Sequence, residues 1–197
     1  TGRTSAGRVG DAPRLDAALD AALLLAALAS KAGDRVDLLA YDRRVRASVQ
    51  GRSVNDLLPA LVNAMAGLEP NLVESDARGL VAGILQRTPH RSLVVLITGL
   101  DTAPVEEGLL PVLPQLTRRH EVLIASVADP RLAEMAQTRG TVEAVYEAAA
   151  AEQTRYERRR TAERLIRHGV TVVDAAPAEL PPALADAYLA LKASGRL

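Results

Sequence analysis

Between Arg91 and Asp101 the chain reads RSLVVLITGLD. Its core, Leu93 to Ile97, is an unbroken run of Leu, Val and Ile. A strand without polar alternation has both faces covered, as in a parallel sheet with helices on each side. Pro89 and His90 punctuate its start, and Thr98-Gly99-Leu100-Asp101 ends it. Two further apolar runs, Val122 to Val127 and Val170 to Val173, read the same way. Val36 to Tyr41 and Val45 to Val49 are closer together, joined at Asp42-Arg43, and predict a hairpin. In the second of these, Val45, Ala47 and Val49 alternate with Arg44, Arg46 and Ser48. One solvated face predicts an antiparallel edge strand.

Helical periodicity fills the intervals. Pro13 to Ala32, closed by Gly33, is apolar around most of its circumference, which predicts deep burial. Ser53 or Asn55 caps a helix to about Leu68, and Ala77 to Gln86 forms a shorter one. Pro104, with Glu106 and Glu107, starts a short turn, and a helix then runs to Arg119. Arg131 to His168 is rich in Ala, Glu and Arg and is split by Gly140. Its second part predicts one long helix from Val142, with Arg158, Arg159 and Arg160 on a solvated face. Pro181 and Pro182 open a last helix to about Ala193. Alternating helices and strands give an α/β fold, a doubly wound, mostly parallel sheet of Rossmann-like type, within one domain over residues 1–197. Leu93 to Ile97 is expected to be its most buried strand. The first helix lacks the buried strand that normally precedes one so apolar. That strand is expected upstream of Thr1, beside Leu93 to Ile97, which makes the chain a fragment of a longer protein.

Composition narrows the function. Lys+Arg and Asp+Glu both number 24, so the net charge is zero, which argues against a nucleic-acid binder. With no Phe or Trp, base-stacking platforms are scarce. The absence of Cys excludes disulfides and thiol chemistry and suits a reducing, cytoplasmic compartment. Ala17 to Ala29 is too short to span a bilayer, and Asp20 interrupts it. Neither Gly-x-x-x-x-Gly-Lys nor Gly-x-Gly-x-x-Gly occurs, and no nucleophile–base pair stands out. His90, His120 and His168 sit at element ends, the last two reading as helix C-terminal residues. Asp42 and Asp129 follow strands and read as turn or cap residues before catalytic ones.

The motifs GRVGDAPRLDAALDAALLLAALA, GDRVDLLAYDRRVRA, RSLVVLITGLDTAPVEEGLLPVL and LADAYLALKASGRL are spread along the chain from Gly7 to Leu197. Their order resembles a von Willebrand factor A domain without its first strand. It is closest to the A-like domain of a bacterial family labelled domain of unknown function 58, whose members are often encoded beside MoxR-type AAA+ ATPases. The resemblance implies a protein-interaction or scaffold module rather than an enzyme, with such an ATPase as partner and a cytoplasmic setting. A tether to the membrane through an upstream segment is compatible with it.

The resemblance also implies a degenerate metal-ion-dependent adhesion site. Its first Asp would fall before Thr1, Gly2 and Thr4 stand at the two Ser positions, and Ser75 stands at the Thr position. Gly99 replaces the last Asp, with Asp101 two residues on. Thr4, Ser75 and Asp101 or Asp76 are the remaining oxygen ligands, and Mg²⁺ is the ion they would suit. Without a ligand role they are polar loop residues, with Asp76 an N-cap. The expected partner surface is the loop set Thr1 to Asp11, Glu74 to Asp76 and Thr98 to Ala103, with Gly2, Thr4, Ser75, Asp76, Thr98, Gly99 and Asp101 at its centre. The expectation is that no cofactor is bound. The competing reading is a Rossmann-like hydrolase or phosphotransferase acting through Asp101 or Asp42.

Overall fold

The computed structural model describes residues 1–9, 12–137 and 140–197, and the side chains of all of these except Thr4, Arg8, Ala12 and Pro13. A 3-10 turn at Arg3–Ser5 leads to a small antiparallel pair, β1 (Arg8–Val9) and β2 (Ala12–Pro13). Helix α1 (Arg14–Lys31) follows. It ends at Gly33, whose φ of 82° admits glycine without strain, and the Asp34 N–H closes the last turn on the Ala29 carbonyl at 2.9 Å. The expected hairpin is β3 (Leu38–Tyr41) with β4 (Val45–Val49), joined antiparallel with a bulge at Ala40/Tyr41. The bulge disturbs the alternation read for β4. Val49 is buried and Ser48 exposed as expected, but Val45 is exposed.

Helix α2 (Val54–Met65) is capped by Ser53, whose Oγ accepts from the Asp56 N–H. Helix α3 (Ala77–Arg87) is capped by Asp76 as expected, with its carboxylate accepting from the Gly79 N–H at 3.0 Å. Then come β5 (Leu93–Ile97), a π-helical turn (Pro104–Leu109) and α4 (Leu113–Thr117). The second half of the chain runs β6 (Glu121–Val127), α5 (Arg131–Gln137), α6 (Val142–Arg167), β7 (Thr171–Ala175) and α7 (Leu180–Ala193).

Strands β5, β6 and β7 form a parallel sheet in that order, so the α/β class stands. Helices cover both faces. Val94, Leu96, Val122 and Ile124 pack with α3, α4 and α6, while Leu93, Val95, Leu123 and Ala125 pack with α1 and α7. Two expectations are corrected. The strands do not make one continuous sheet, because β3–β4 is a separate pair. Nor is Leu93–Ile97 the most buried strand. It lies at an edge and is only alternately buried, whereas all seven residues of β6 are buried. The reason is position. Strand β6 has a partner on each side, and β5 has one among the described residues.

The two sheets are nevertheless parts of one layer. On one face α1 spans both. Its Ala17, Ala18, Ala21 and Leu25 join the cluster under β5 and β6, and its Leu23 and Ala26 join the cluster with Leu38, Val49 and α2. On the other face α3 spans both. Val81, Leu80 and Ile84 meet Val94 and Leu96, and a Cβ placed on Gly83 would lie 3.8 Å from Leu39 Cδ2.

Candidate functional site

Loops at the carboxyl ends of β3 and β5 collect the polar groups singled out in the sequence. Asp42, just after β3, is the organiser of the first half. Its carboxylate accepts from the N–H groups of Arg43 at 2.5 Å and Arg44 at 3.1 Å and from Asn71 Nδ2 at 3.3 Å, with the Arg46 guanidinium at 3.7 Å. Burial alone would push this carboxyl up. The two backbone N–H groups, then Asn71 and Arg46, outweigh it and hold the carboxyl below its ordinary range. The Asp42 carbonyl accepts from the Asp76 N–H at 2.8 Å, which ties the hairpin turn to the start of α3. The turn role expected for Asp42 is therefore observed, and Asp129 likewise accepts from the Arg131 N–H at the start of α5.

The N-terminal segment is laced onto the loop before α3. Asn71 N–H donates to the Thr1 carbonyl at 2.9 Å, and Arg3 N–H donates to the Val73 carbonyl at 2.8 Å. Gly2 is buried at the crossing, and a Cβ there would run into Ser75 Oγ. The same Cβ would lie 3.1 Å from the Val73 carbonyl oxygen. Arg43 Nε adds a hydrogen bond to the Glu74 carbonyl at 3.2 Å. Gly2, Ser75 and Asp76 are thus brought together. Ser75 and Asp76 are exposed.

Thr98, Gly99 and Asp101 lie at the end of β5. Gly99 is buried, Thr98 half-buried and Asp101 exposed. The Arg14 guanidinium lies 4.0 Å from the Asp101 carboxylate, which thus faces a cation supplied by the chain. Arg14 lies with Ser5, Ile97, Thr98 and Gly99 around a small cleft, and its Nε is buried without a hydrogen-bond partner among the described residues. Of the proposed ligand set, Thr4 falls outside the described side chains, while Ser75 and Asp101 are engaged by different neighbours, Gly2 and Arg14. Asp11, counted in the first loop, is also outside the described residues. Among the described residues no three His, Asp or Glu side chains gather in a metal-holding group.

Residues 5–171 match a family profile described as "Protein of unknown function DUF58". The chain belongs to the DUF58 family. No curated protein and no solved structure matched it.

Two features of this DUF58 chain escaped the sequence. Arg158, read as part of a solvated face, is 7% exposed. Its guanidinium donates to Asp174 Oδ1 at 2.6 Å and Ser126 Oγ at 3.0 Å, pinning α6 to the ends of β6 and β7. The signal was present in the spacing. Ala151, Arg158 and Leu165 fall seven residues apart on the buried stripe of α6. Second, a polar groove opens between the β5 loop and α6, lined by Thr102, Glu106, Tyr156, Arg160, Thr161 and Arg164. Arg164 and Glu106 pair across it. His120 is a further correction. It follows α4, but it is buried with neither ring nitrogen hydrogen-bonded. Its backbone N–H closes α4 on the Leu116 carbonyl at 2.8 Å, and burial, with a smaller contribution from Arg119, pushes its pKa below the ordinary value. His168 keeps the expected place at the end of α6, its Nδ1 2.8 Å from the Arg164 carbonyl.

Proposed function

We propose that this DUF58 domain is a non-enzymatic interaction module that docks a protein partner on the loops at the carboxyl ends of β3 and β5. The observation that carries the reading is the lacing of residues 1–3 onto residues 71–75 and of Asp76 onto Asp42. Loops fixed by their own backbone bonds lose little entropy on docking, which favours a recognition surface. Exposed Glu74, Ser75, Asp76 and Asp101 would make the contacts, with buried Gly2 and Gly99 as their support. The carboxylates offered for hydrolase or phosphotransferase chemistry are already engaged, Asp42 by its turn and Asp101 by Arg14. A von Willebrand factor A-like strand order and a degenerate adhesion site belong to the same reading. So do a MoxR-type AAA+ ATPase as partner, a cytoplasmic location and the absence of a cofactor. Among the described residues no helix is long and apolar enough to cross a membrane.

The test is binding of the full-length protein to the MoxR-type ATPase of its own genome. Glu74→Arg and Asp101→Arg together should weaken binding at least tenfold, while exposed Tyr146→Ala on α6 should leave it unchanged. Equal binding by both variants, or none by the unsubstituted protein, would refute the assignment. Millimolar Mg²⁺ should leave the melting temperature of the domain unaltered. A site filled at 100 times its Kd would add about 2.7 kcal/mol. A gain of that order, abolished by Asp101→Ala, would restore the metal site.

A further inference from the structure

We infer that the polar groove between α6 and the turn after β5 is a binding site for one ring of a neutral saccharide. It uses none of Glu74, Ser75, Asp76 and Asp101, so it stands apart from the protein partner proposed above. The groove has a volume of about 330 Å³, at the lower end of the range for small-molecule sites. Helix α6 supplies one wall with two rows of side chains four residues apart, Gln153, Glu157 and Thr161 beside Tyr156, Arg160 and Arg164. Thr102 and Glu106 form the other wall. Glu106 belongs to the π-helical turn, where the Leu110 N–H donates to the Val105 carbonyl at 2.8 Å. Such windings are rare and recur at functional sites.

The donors and acceptors in the groove select the ligand. The carboxylates of Glu106 and Glu157 offset the guanidiniums of Arg160 and Arg164, so the lining has no net charge to draw an anion or a cation. Its groups are held in place with bonding capacity to spare. Gln153 Nε2 donates to Glu157 Oε1 at 2.7 Å, and Arg164 pairs with Glu106 across the groove. The Arg160 guanidinium has no ion pair among the described residues. Thr161 is 1% exposed, and its hydroxyl meets that of Thr102 at 3.4 Å. That contact uses one of the two O–H donors and leaves the other for a ligand. A carboxylate only accepts and a guanidinium only donates, so a bare oxyanion or cation would satisfy only half of this lining. Each sugar hydroxyl both donates and accepts, and adjacent hydroxyls match the planar edge of a carboxylate or a guanidinium. Tyr156, 54% exposed, offers a flat apolar face for the C–H side of a sugar ring, with its O–H as a polar tip.

The experiment titrates glucose, galactose, N-acetylglucosamine, maltose and cellobiose into the full-length protein, read by saturation-transfer difference NMR. At least one of them should receive saturation, most strongly at its ring C–H protons. Tyr156→Ala and Arg160→Ala should each weaken its binding about tenfold. Arg159→Ala, outside the groove on the same helix, should leave it unchanged. All three side chains are exposed, so these substitutions leave the fold intact. No signal from any of these sugars, or equal binding by all the variants, overturns the inference. Phosphate or acetate bound in preference to every sugar would assign the groove to an anion and overturn it too.

Discussion

Strands β5 and β6 are neighbours, LVVLI against EVLIASV, yet they live in different environments. Every residue of β6 is buried, Glu121 and Ser126 included, because a strand lies on each side and helices lie above and below. Glu121 pairs there with Arg196 at 2.5 Å. Strand β5 is the more apolar of the two and the less buried, since one of its edges has no strand among the described residues. The burial of a strand is thus set by its neighbours in the layer more than by its own side chains. The hairpin side of the layer repeats the point. Strand β3 reads LLAY, and only Ala40 in it is fully buried.

The contrast should be largest in core truncations. Leu123→Ala in β6 removes a side chain with 0% exposure, and such changes cost about 2–5 kcal/mol. Val95→Ala in half-buried β5 should cost about 1 kcal/mol. Urea melts of the two variants measure this, and equal losses would break the comparison.

Next in size is the pair of arginines two residues apart on α6. Arg158→Met leaves Asp174 and Ser126 without their partner and should cost about 1–3 kcal/mol. Exposed Arg160→Met should change stability by less than about 0.5 kcal/mol. The loop ends give a smaller contrast. Asp76→Ala removes the α3 cap and should cost about 1 kcal/mol. Asp101→Ala breaks a half-exposed pair at 4.0 Å and should cost well under about 1 kcal/mol.

His120 has its effect only in acid. Its folded pKa lies below its ordinary value, so the unfolded chain takes up the proton first. Stability should therefore fall as the pH drops below about 6.5, and stop falling from this source once the folded pKa is passed. His120→Leu should flatten that part of the curve. An unchanged slope between about pH 6.5 and 5 would show that the imidazole is not held neutral.

How much was legible follows the range of each interaction. The hairpin, the Ser53 and Asp76 caps, the Gly33 stop and the long α6 are local, and a few residues specify each of them. The turn role of Asp42 was legible for the same reason. Its grip on Asn71 and on the Asp76 N–H was not, because those partners lie about thirty residues away. Arg158 was misread because a charged side chain is ordinarily solvated, while its partners come from two strands that follow and precede α6. Thr98–Asp101 do follow β5, but which residues of the loop cluster are exposed depends on how the N-terminal segment crosses it.

By itself the sequence determined the α/β class and the order and ends of its elements, through side-chain periodicity and the residues that cap helices and turns. Only the tertiary structure decided that β6 and not β5 is central, that Arg158 and His120 are inside, and that α1 and α3 bridge two separate sheets. Those outcomes depend on which edges and faces meet across long stretches of chain, and hydrophobic pattern alone carries no record of the partner on the other side.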